Sequence, residues 1–322
     1  LSEVERVVSV SLGSSRGDKT WEGEILGRRF RIERIGTDGD LQRFAQMFRE
    51  LDGQVSALGV GGADIYLVAG NRRYAFRQIQ RIVSAAKRTP VVDGSGLKHT
   101  LEREAVLTLQ REGTVDFSKE RALLVSAVDR FGMAEALHRV CPQVVYGDLM
   151  FGIGLPIPIR SYRALQLLAR IALPIVTRLP FQWFYPTGEK QEKRKPRFPK
   201  VFEWATFICG DKHYIRRYAP DRLPDKTILT QTLRKADLEW FRSAGVRRTI
   251  TTTPVMGGET FATNVMEGVI VTLLGKPPAD LRPEDYLSIL GRLGWKPEVI
   301  ELDSPKVEAT SGTLVPPQGA RD

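Results

Sequence analysis

The amino-acid sequence predicts an α/β protein built as two Rossmann-like domains, each a parallel sheet with helices on its faces, separated by a cleft. Three observations predict it. Apolar residues recur with a period of two in some stretches and of about 3.6 in others, and the two patterns alternate along most of the chain. The stretch from Arg121 to Asp148 reads as strand, tight turn, helix and strand: Ala122 to Val128 is apolar, Asp129-Arg-Phe-Gly132 turns, Met133 to Arg139 is helix-like, and Val144 to Asp148 closes on an acid. A length of 322 residues is long for one core and suits two.

In chain order, Val7 to Leu12, Trp21 to Leu26 and Phe30 to Ile35 read as strands, the last two joined as a hairpin by Gly27-Arg28-Arg29. Leu41, Phe44, Ala45, Phe48 and Leu51 form a helical stripe. Then come a strand at Ser56 to Val60, a helix within Tyr74 to Ala86, a strand at Pro90 to Val92 and a helix from Leu97 to Gln110. The polar segment Arg111 to Ser118 marks a boundary, which gives a substrate domain over residues 1–115 and a nucleotide-binding domain over 116–302. After Asp148 an insertion spans 150–200. Beyond it Ala205 to Cys209, Thr227 to Thr230 and Arg248 to Thr252 read as strands, with helices around Tyr214, from Ala236 to Ser243 and from Asn264 to Leu274. That last helix stops at Gly275 before two prolines. Residues 303–322, rich in Pro, Ser, Thr and Gly, read as a flexible tail.

Composition excludes several classes. Cys141 and Cys209 are the only two cysteines and both follow apolar runs, which argues against a disulfide framework and against a metal cluster. The first residues lack the basic end and apolar core of a signal peptide, so a cytoplasmic protein is expected. A net charge of +10 favours anionic ligands. With no zinc-finger spacing, aromatic RNA-binding signature or long basic helix, no nucleic-acid partner is expected.

Four loops after predicted strands carry site chemistry. Val92-Asp-Gly-Ser-Gly-Leu-Lys-His99 sets a carboxylate, two glycines and a lysine at a helix start, where free amides and the helix dipole favour an anion. Asp93 and Lys98 are its candidate acid/base pair, with Asp64 of Gly59-Val-Gly-Gly-Ala-Asp64 as the alternative acid. Gly210-Asp-Lys-His-Tyr214 holds one of three histidines, His213. Thr249-Ile-Thr-Thr-Thr-Pro-Val-Met-Gly-Gly258 leaves a strand with hydroxyl side chains.

Thr251-Thr-Thr-Pro-Val-Met-Gly257 resembles the loop that shikimate and quinate dehydrogenases place beside the nicotinamide, and the order of the two halves is similar. Ser9-Val-Ser-Leu-Gly-Ser-Ser15, Gly70-Asn-Arg-Arg-Tyr74, Thr89 to Lys98 and Tyr185-Pro-Thr-Gly-Glu-Lys190 look like bacterial proteins labelled quinate 5-dehydrogenase. The resemblance implies a nicotinamide-dependent oxidoreductase acting on a small polyol or hydroxy acid, with NAD or NADP as cofactor. In that reading Asp148 takes the adenosine ribose and favours NAD, Asp129, Arg130 and Gly132 lie near the phosphates, Thr252 and Thr253 lie near the nicotinamide, and a lysine with an aspartate moves the substrate proton. The turn Asp129-Arg-Phe-Gly132 departs from the family in holding one glycine. Two alternatives stay open: a transferase or synthase for a phosphorylated or nucleotide-linked substrate, and a metabolite-binding protein without catalysis.

Within the insertion, Tyr162 to Tyr185 is apolar but holds Arg163, Arg170 and Arg178 near one helical face, with Pro174 and Pro180 interrupting it. Three arginines and two prolines argue against a membrane span. The segment is expected to be buried in the chain or in a homodimer, because large apolar side chains left in water cost roughly 1.5 to 3 kcal/mol each. The basic run Lys190, Lys193, Arg194, Lys195, Arg197 and Lys200 reads as a solvated loop or as a lid over an anion.

Overall fold

The computed structural model describes residues 4–70, 72–179 and 194–302. The chain opens with β1 (Glu5–Ser11), whose valines are buried on both faces as a central strand requires, followed by the hairpin of β2 (Lys19–Ile25) and β3 (Arg28–Gly36). Helix α1 (Leu41–Glu50) starts at Asp40, whose carboxylate accepts from the amides of Gln42 and Arg43, and buries Phe44 against Phe48 one turn on. Strand β4 (Ala57–Gly61) leads to a small hairpin, β5 (Tyr66–Ala69) and β6 (Arg72–Ala75), then α2 (Arg77–Val83), β7 (Val91–Val92) and α3 (Ser95–Arg111). The first sheet has the order β2-β3-β1-β4-β7, parallel except for β2.

The second sheet starts with β8 (Arg121–Leu124), α4 (Phe131–Val140) and β9 (Gln143–Tyr146). One π-helical turn (Asp148–Gly152) precedes α5 (Tyr162–Val176), then α6 (Pro199–Trp204), β10 (Phe207–Cys209), α7 (Lys212–Tyr218), β11 (Thr227–Thr230), α8 (Lys235–Ser243) and β12 (Arg248–Thr251). A hairpin of β13 (Val255–Met256) and β14 (Glu259–Thr260), two helices, α9 (Thr263–Leu274) and α10 (Pro283–Arg292), and β15 (Glu298–Glu301) complete the described chain. The order is β15-β12-β11-β10-β8-β9, parallel except for β15. From β8 the chain moves outward to β9 and then back to β10, so the strand order reverses between β8 and β10, and ligands of such sheets bind outside the carboxyl ends at that reversal.

The two units are threaded through each other. Helices α9 and α10 lie within the stretch assigned from sequence to the second unit, yet Val265, Val269 and Leu290 pack with Val7, Ala57 and Val92 of the first sheet. The chain then returns as β15 to pair antiparallel with β12. This explains why α9 is apolar nearly all round: it lies between the first sheet and α3.

The insertion departs from expectation. Helix α5 ends at Val176 with Pro174 inside its last turn, and Pro180 to Lys193 fall outside the described residues, as does the tail from Asp303 onward. Leu165, Ala169 and Leu173 are buried, but Leu167, Ile171 and Ile175 on the opposite face are more than half exposed, so within the chain the segment is buried on one side only. The described end of the basic run is pinned: Arg194 pairs with Asp221 at 2.6 Å and lies over Trp240, and the Lys195 and Arg197 amides donate to the Arg217 and Tyr218 carbonyls. Cys141 and Cys209 are buried and free. Among the described residues no helix is long and apolar enough to cross a membrane, and no group of His, Cys, Asp and Glu side chains could hold a metal ion.

Candidate functional site

The carboxyl ends of the two sheets meet at Lys98. Helix α3 carries Lys98 and Glu102 one turn apart, hence on one face, and that face meets the loop between β8 and α4. The Lys98 Nζ lies 3.5 Å from Asp129 Oδ2, and Ser126 Oγ donates to the other Asp129 oxygen at 2.6 Å. Asp64, from the loop after β4, lines the same crevice as Lys98. One ammonium thus stands between carboxylates supplied by both units.

Beside it Arg130, almost wholly buried, forms an ion pair with Glu102 and donates to Asp211 Oδ2 at 3.1 Å and to Gln231 Oε1 at 3.2 Å. The Gln231 amide donates in turn to Asp211 at 2.7 Å. Burial alone would lower the Arg130 pKa, but Glu102, Asp129 and Asp211 raise it further, so the guanidinium is a fixed cation. Burial likewise works to raise Asp211, and Arg130 overrides it and holds this carboxyl at about 2. For Lys98, burial pulls the pKa down, Asp129 pushes it up with help from Asp64 and Glu102, and the net shift is upward. A lysine lowered into the range of a neutral proton shuttle is therefore not what the structure holds. Lys98 is a stable ammonium that can donate a proton to, or stabilise negative charge on, a ligand oxygen.

Next to the cluster, at the strand reversal, lies a cavity of about 390 Å³ between α5 and the carboxyl ends of β8, β9 and β10. Its polar end is formed by Ser126, Asp129, Asp148, Asp211 and Arg217, and its other walls are mostly aliphatic, with Phe76, Tyr214 and His213 among them. A volume of this order is at the small end of what drug-sized ligands occupy.

Several predicted site residues do other work. Asp93 is taken up by main-chain amides: Oδ2 accepts from Ile65 at 2.7 Å and Tyr66 at 2.8 Å, and Oδ1 from Ser95 at 3.0 Å, so it does not partner Lys98. The place of the anion expected at the start of α3 is taken by the protein's own Glu267 carboxyl, reaching over from α9 to accept from the Gly94 amide at 2.7 Å, the Leu97 amide at 3.1 Å and the Tyr286 hydroxyl at 2.6 Å. Gly96 permits that approach, because a Cβ there would sit 2.5 Å from the Tyr286 hydroxyl oxygen and 2.6 Å from Glu267 Oε1.

The turn after β8 is closed in the same way. Asp148 Oδ1 accepts from the amides of Ala127 at 3.0 Å and Val128 at 2.9 Å, the amides that a phosphate-binding turn would offer to a ligand. Gly132 does not face a ligand: a Cβ on it would lie 2.0 Å from the His99 carbonyl oxygen, so it sits where α4 crosses α3. The first turn of α4 is buried by that crossing. With the helix end covered, the turn amides occupied and Arg130 neutralised by three acids, the residues assigned to a dinucleotide pyrophosphate do not fit one. Asp148 is equally removed from a simple ribose role, and with it goes the ground for preferring NAD to NADP. Its Oδ2 is buried without a hydrogen bond, and burial pushes the carboxyl up to about 7.

Thr252 and Thr253 lie at the carboxyl end of β12, outside the cavity. Thr252 is buried, its amide donating to the Thr230 carbonyl and its own carbonyl accepting from the Trp295 indole at 3.0 Å. The Thr253 hydroxyl is 2.7 Å from that of Thr232. His213 is exposed at the cavity edge. Sequence reasoning passed over Glu102, Asp211, Ser126, Gln231 and Glu267. The four-residue spacing of Lys98 and Glu102 was a usable signal, and Asp211 lay in a loop already singled out for its histidine.

Residues 96–302 match a family described as a domain of unknown function, DUF8754. The chain belongs to that family. Residues 6–93 match a second domain of unknown function, DUF8753, and the two matches divide between β7 and α3. No curated protein matches. Solved structures similar to it include a glutamate dehydrogenase from Thermus thermophilus (13% identity over 91% of this chain and 74% of that one, TM-score 0.41). Others are an NAD-dependent malic enzyme from Thermotoga maritima (12%, 90% and 84%, TM-score 0.36) and an arabinose-binding protein from Geobacillus stearothermophilus (10%, 94% and 98%, TM-score 0.38). Likenesses this slight carry nothing about activity.

Proposed function

We propose that the protein is an enzyme of small hydroxylated metabolites, polyols or hydroxy acids, that works by proton transfer in the cleft where the two sheets meet. The observation that carries this reading is Lys98, a partly buried ammonium held between Asp129 of one unit and the Asp64 loop of the other. In such a pair the ammonium stabilises or protonates a ligand oxygen and a carboxylate accepts the proton of a hydroxyl. The phosphorylated-substrate alternative is weakened by the same features that exclude a pyrophosphate from the β8 to α4 turn.

A nicotinamide-dependent oxidation is the second reading, favoured by the cavity's position at the strand reversal. It would use Lys98 and Asp129 for the alcohol proton, and a cofactor would have to be held by residues other than those at the amino end of α4. Thermal shift separates the two, since a ligand of the folded state raises the melting temperature. Polyols or hydroxy acids acting alone support the first reading. A rise with NAD or NADP at submillimolar concentration moves the assignment to the second. With a substrate in hand, Lys98→Met should lower kcat at least a hundredfold at near-parental melting temperature. Near-normal turnover by that variant rejects Lys98 in either reading.

A further inference from the structure

We infer that the cavity beside Lys98 takes an amphiphile, an aliphatic body with an uncharged hydroxylated head, which narrows the hydroxylated ligands proposed above to those that carry an alkyl chain. The inference rests on the switch point being a ligand site, as proposed above, but on no chemistry at Lys98. Three observations lead to it. The walls are aliphatic over most of their extent, with Leu168, Ala172, Leu173 and Val176 contributed by α5 and Leu149 and Ile153 by the turn before it. A sugar or hydroxy acid alone would leave this surface against water.

The polar end is incompletely bonded. Asp129, Asp148 and Asp211 border it against one lining guanidinium, Arg217, and Lys98 and Arg130 beside it are already paired with Asp129 and Asp211, so little positive charge is left for a carboxylate or phosphate head, whereas hydroxyls can donate to carboxylates at no charge cost. Asp148 Oδ2 and Arg217 Nε are both buried without a hydrogen-bond partner, and both belong to residues lining this cavity. One is an acceptor and the other a donor, and a head group with several hydroxyls can serve both.

The entrance is apolar as well. Ile153 lines the cavity and is 67% exposed, and on the outer face of α5 Leu167, Ile171 and Ile175 are 58%, 59% and 57% exposed. Aliphatic surface therefore continues from the cavity to the outside, the arrangement that lets an aliphatic ligand enter without full hydration.

The probe is octyl glucoside, kept below its micelle concentration, with glucose and octanoate as controls for the head alone and for a charged head. Calorimetric titration and thermal shift should show octyl glucoside binding at least tenfold more tightly than either control at pH 7.5. Ala172→Trp, which fills the cavity, should lose at least tenfold in affinity, and Val176→Phe serves the same purpose should the first fail to fold. The surface double variant Leu167→Gln with Ile171→Gln should bind as the parent does. Lys98→Met should also retain binding, which separates this site from catalysis. Glucose binding as well as octyl glucoside overturns the inference and leaves the polyol reading standing. Binding lost in the surface double variant but kept in Ala172→Trp overturns it in favour of adsorption. No binding by any of the three ligands rejects the inference and the switch-point site together.

Discussion

Glu267 should make the stability of this protein fall as the solution turns from acid to neutral, the reverse of what paired carboxylates usually do. Its carboxyl is buried between α9, α10 and the start of α3, and burial, reinforced by Asp93, raises it from an ordinary 4.5 to about 7 despite bonds from Tyr286, Gly94 and Leu97. Because the folded state holds the proton more tightly than the unfolded chain, the stabilisation is complete below pH 4.5 and is lost as the pH rises through 7. A shift of about 2.5 units at roughly 1.4 kcal/mol each corresponds to about 3 kcal/mol, most of it lost between pH 5 and pH 8. Urea denaturation of the parent and of Glu267→Gln across that range isolates the effect. The glutamine does not titrate, and one of the donors around it loses its acceptor, so the variant should be less stable at pH 5 by about 1 to 3 kcal/mol. Its free energy should also fall less steeply with pH, by about 2.5 kcal/mol between pH 5 and pH 8. Identical pH slopes in the two proteins would show that Glu267 is ionised throughout and that its three donors outweigh burial.

Asp148 titrates in the same direction, raised from 3.8 to about 7 by burial, so Asp148→Asn should gain stability relative to the parent at pH 8 and little at pH 5, checked by the same titrations. Gly132→Ala places a methyl 2.0 Å from the His99 carbonyl oxygen and should destabilise by about 3 kcal/mol or more, read as a fall in Tm. Arg130→Met strands Glu102 as an unpaired buried carboxylate, removes the cation beside Asp211 and should cost about 3 to 5 kcal/mol by denaturation, whereas Thr253→Val, outside the cavity, should leave ligand binding unchanged.

Most of the element order was legible because it depends on local periodicity. The stripe of Phe44 and Phe48 and the valines of β1 each announce their element with no help from distant residues. Helix α10 and strand β15 went unread, since their places are fixed by partners far away in sequence: Leu290 packs with Val7, and β15 pairs with β12. The apolar composition of α9 was visible, but the sheet it covers was not, because a helix buried on all sides carries no moment to orient it.

The site shows the same limit from the chemical side. Glycines, a helix start and a nearby acid were read as places where an anion belongs, and in both loops a carboxyl of the chain accepts from the free amides. What sequence could not reveal is that the acceptor is supplied by the chain itself, Glu267 across 170 residues to Leu97 and Asp148 across 20 residues to Val128. A turn whose amides are already satisfied gains little by binding a phosphate, since the incoming group must first displace a carboxylate that is itself costly to leave buried and unpaired. The recognition surface is thereby moved away from the helix ends to the side chains that line the cavity, Asp129, Asp148 and Asp211 with the aliphatic walls beside them. Selectivity for hydroxylated over phosphorylated ligands follows from that displacement. Glucose should therefore compete with octyl glucoside where glucose 6-phosphate does not, and equal competition by the two would place a phosphate site in this cleft after all.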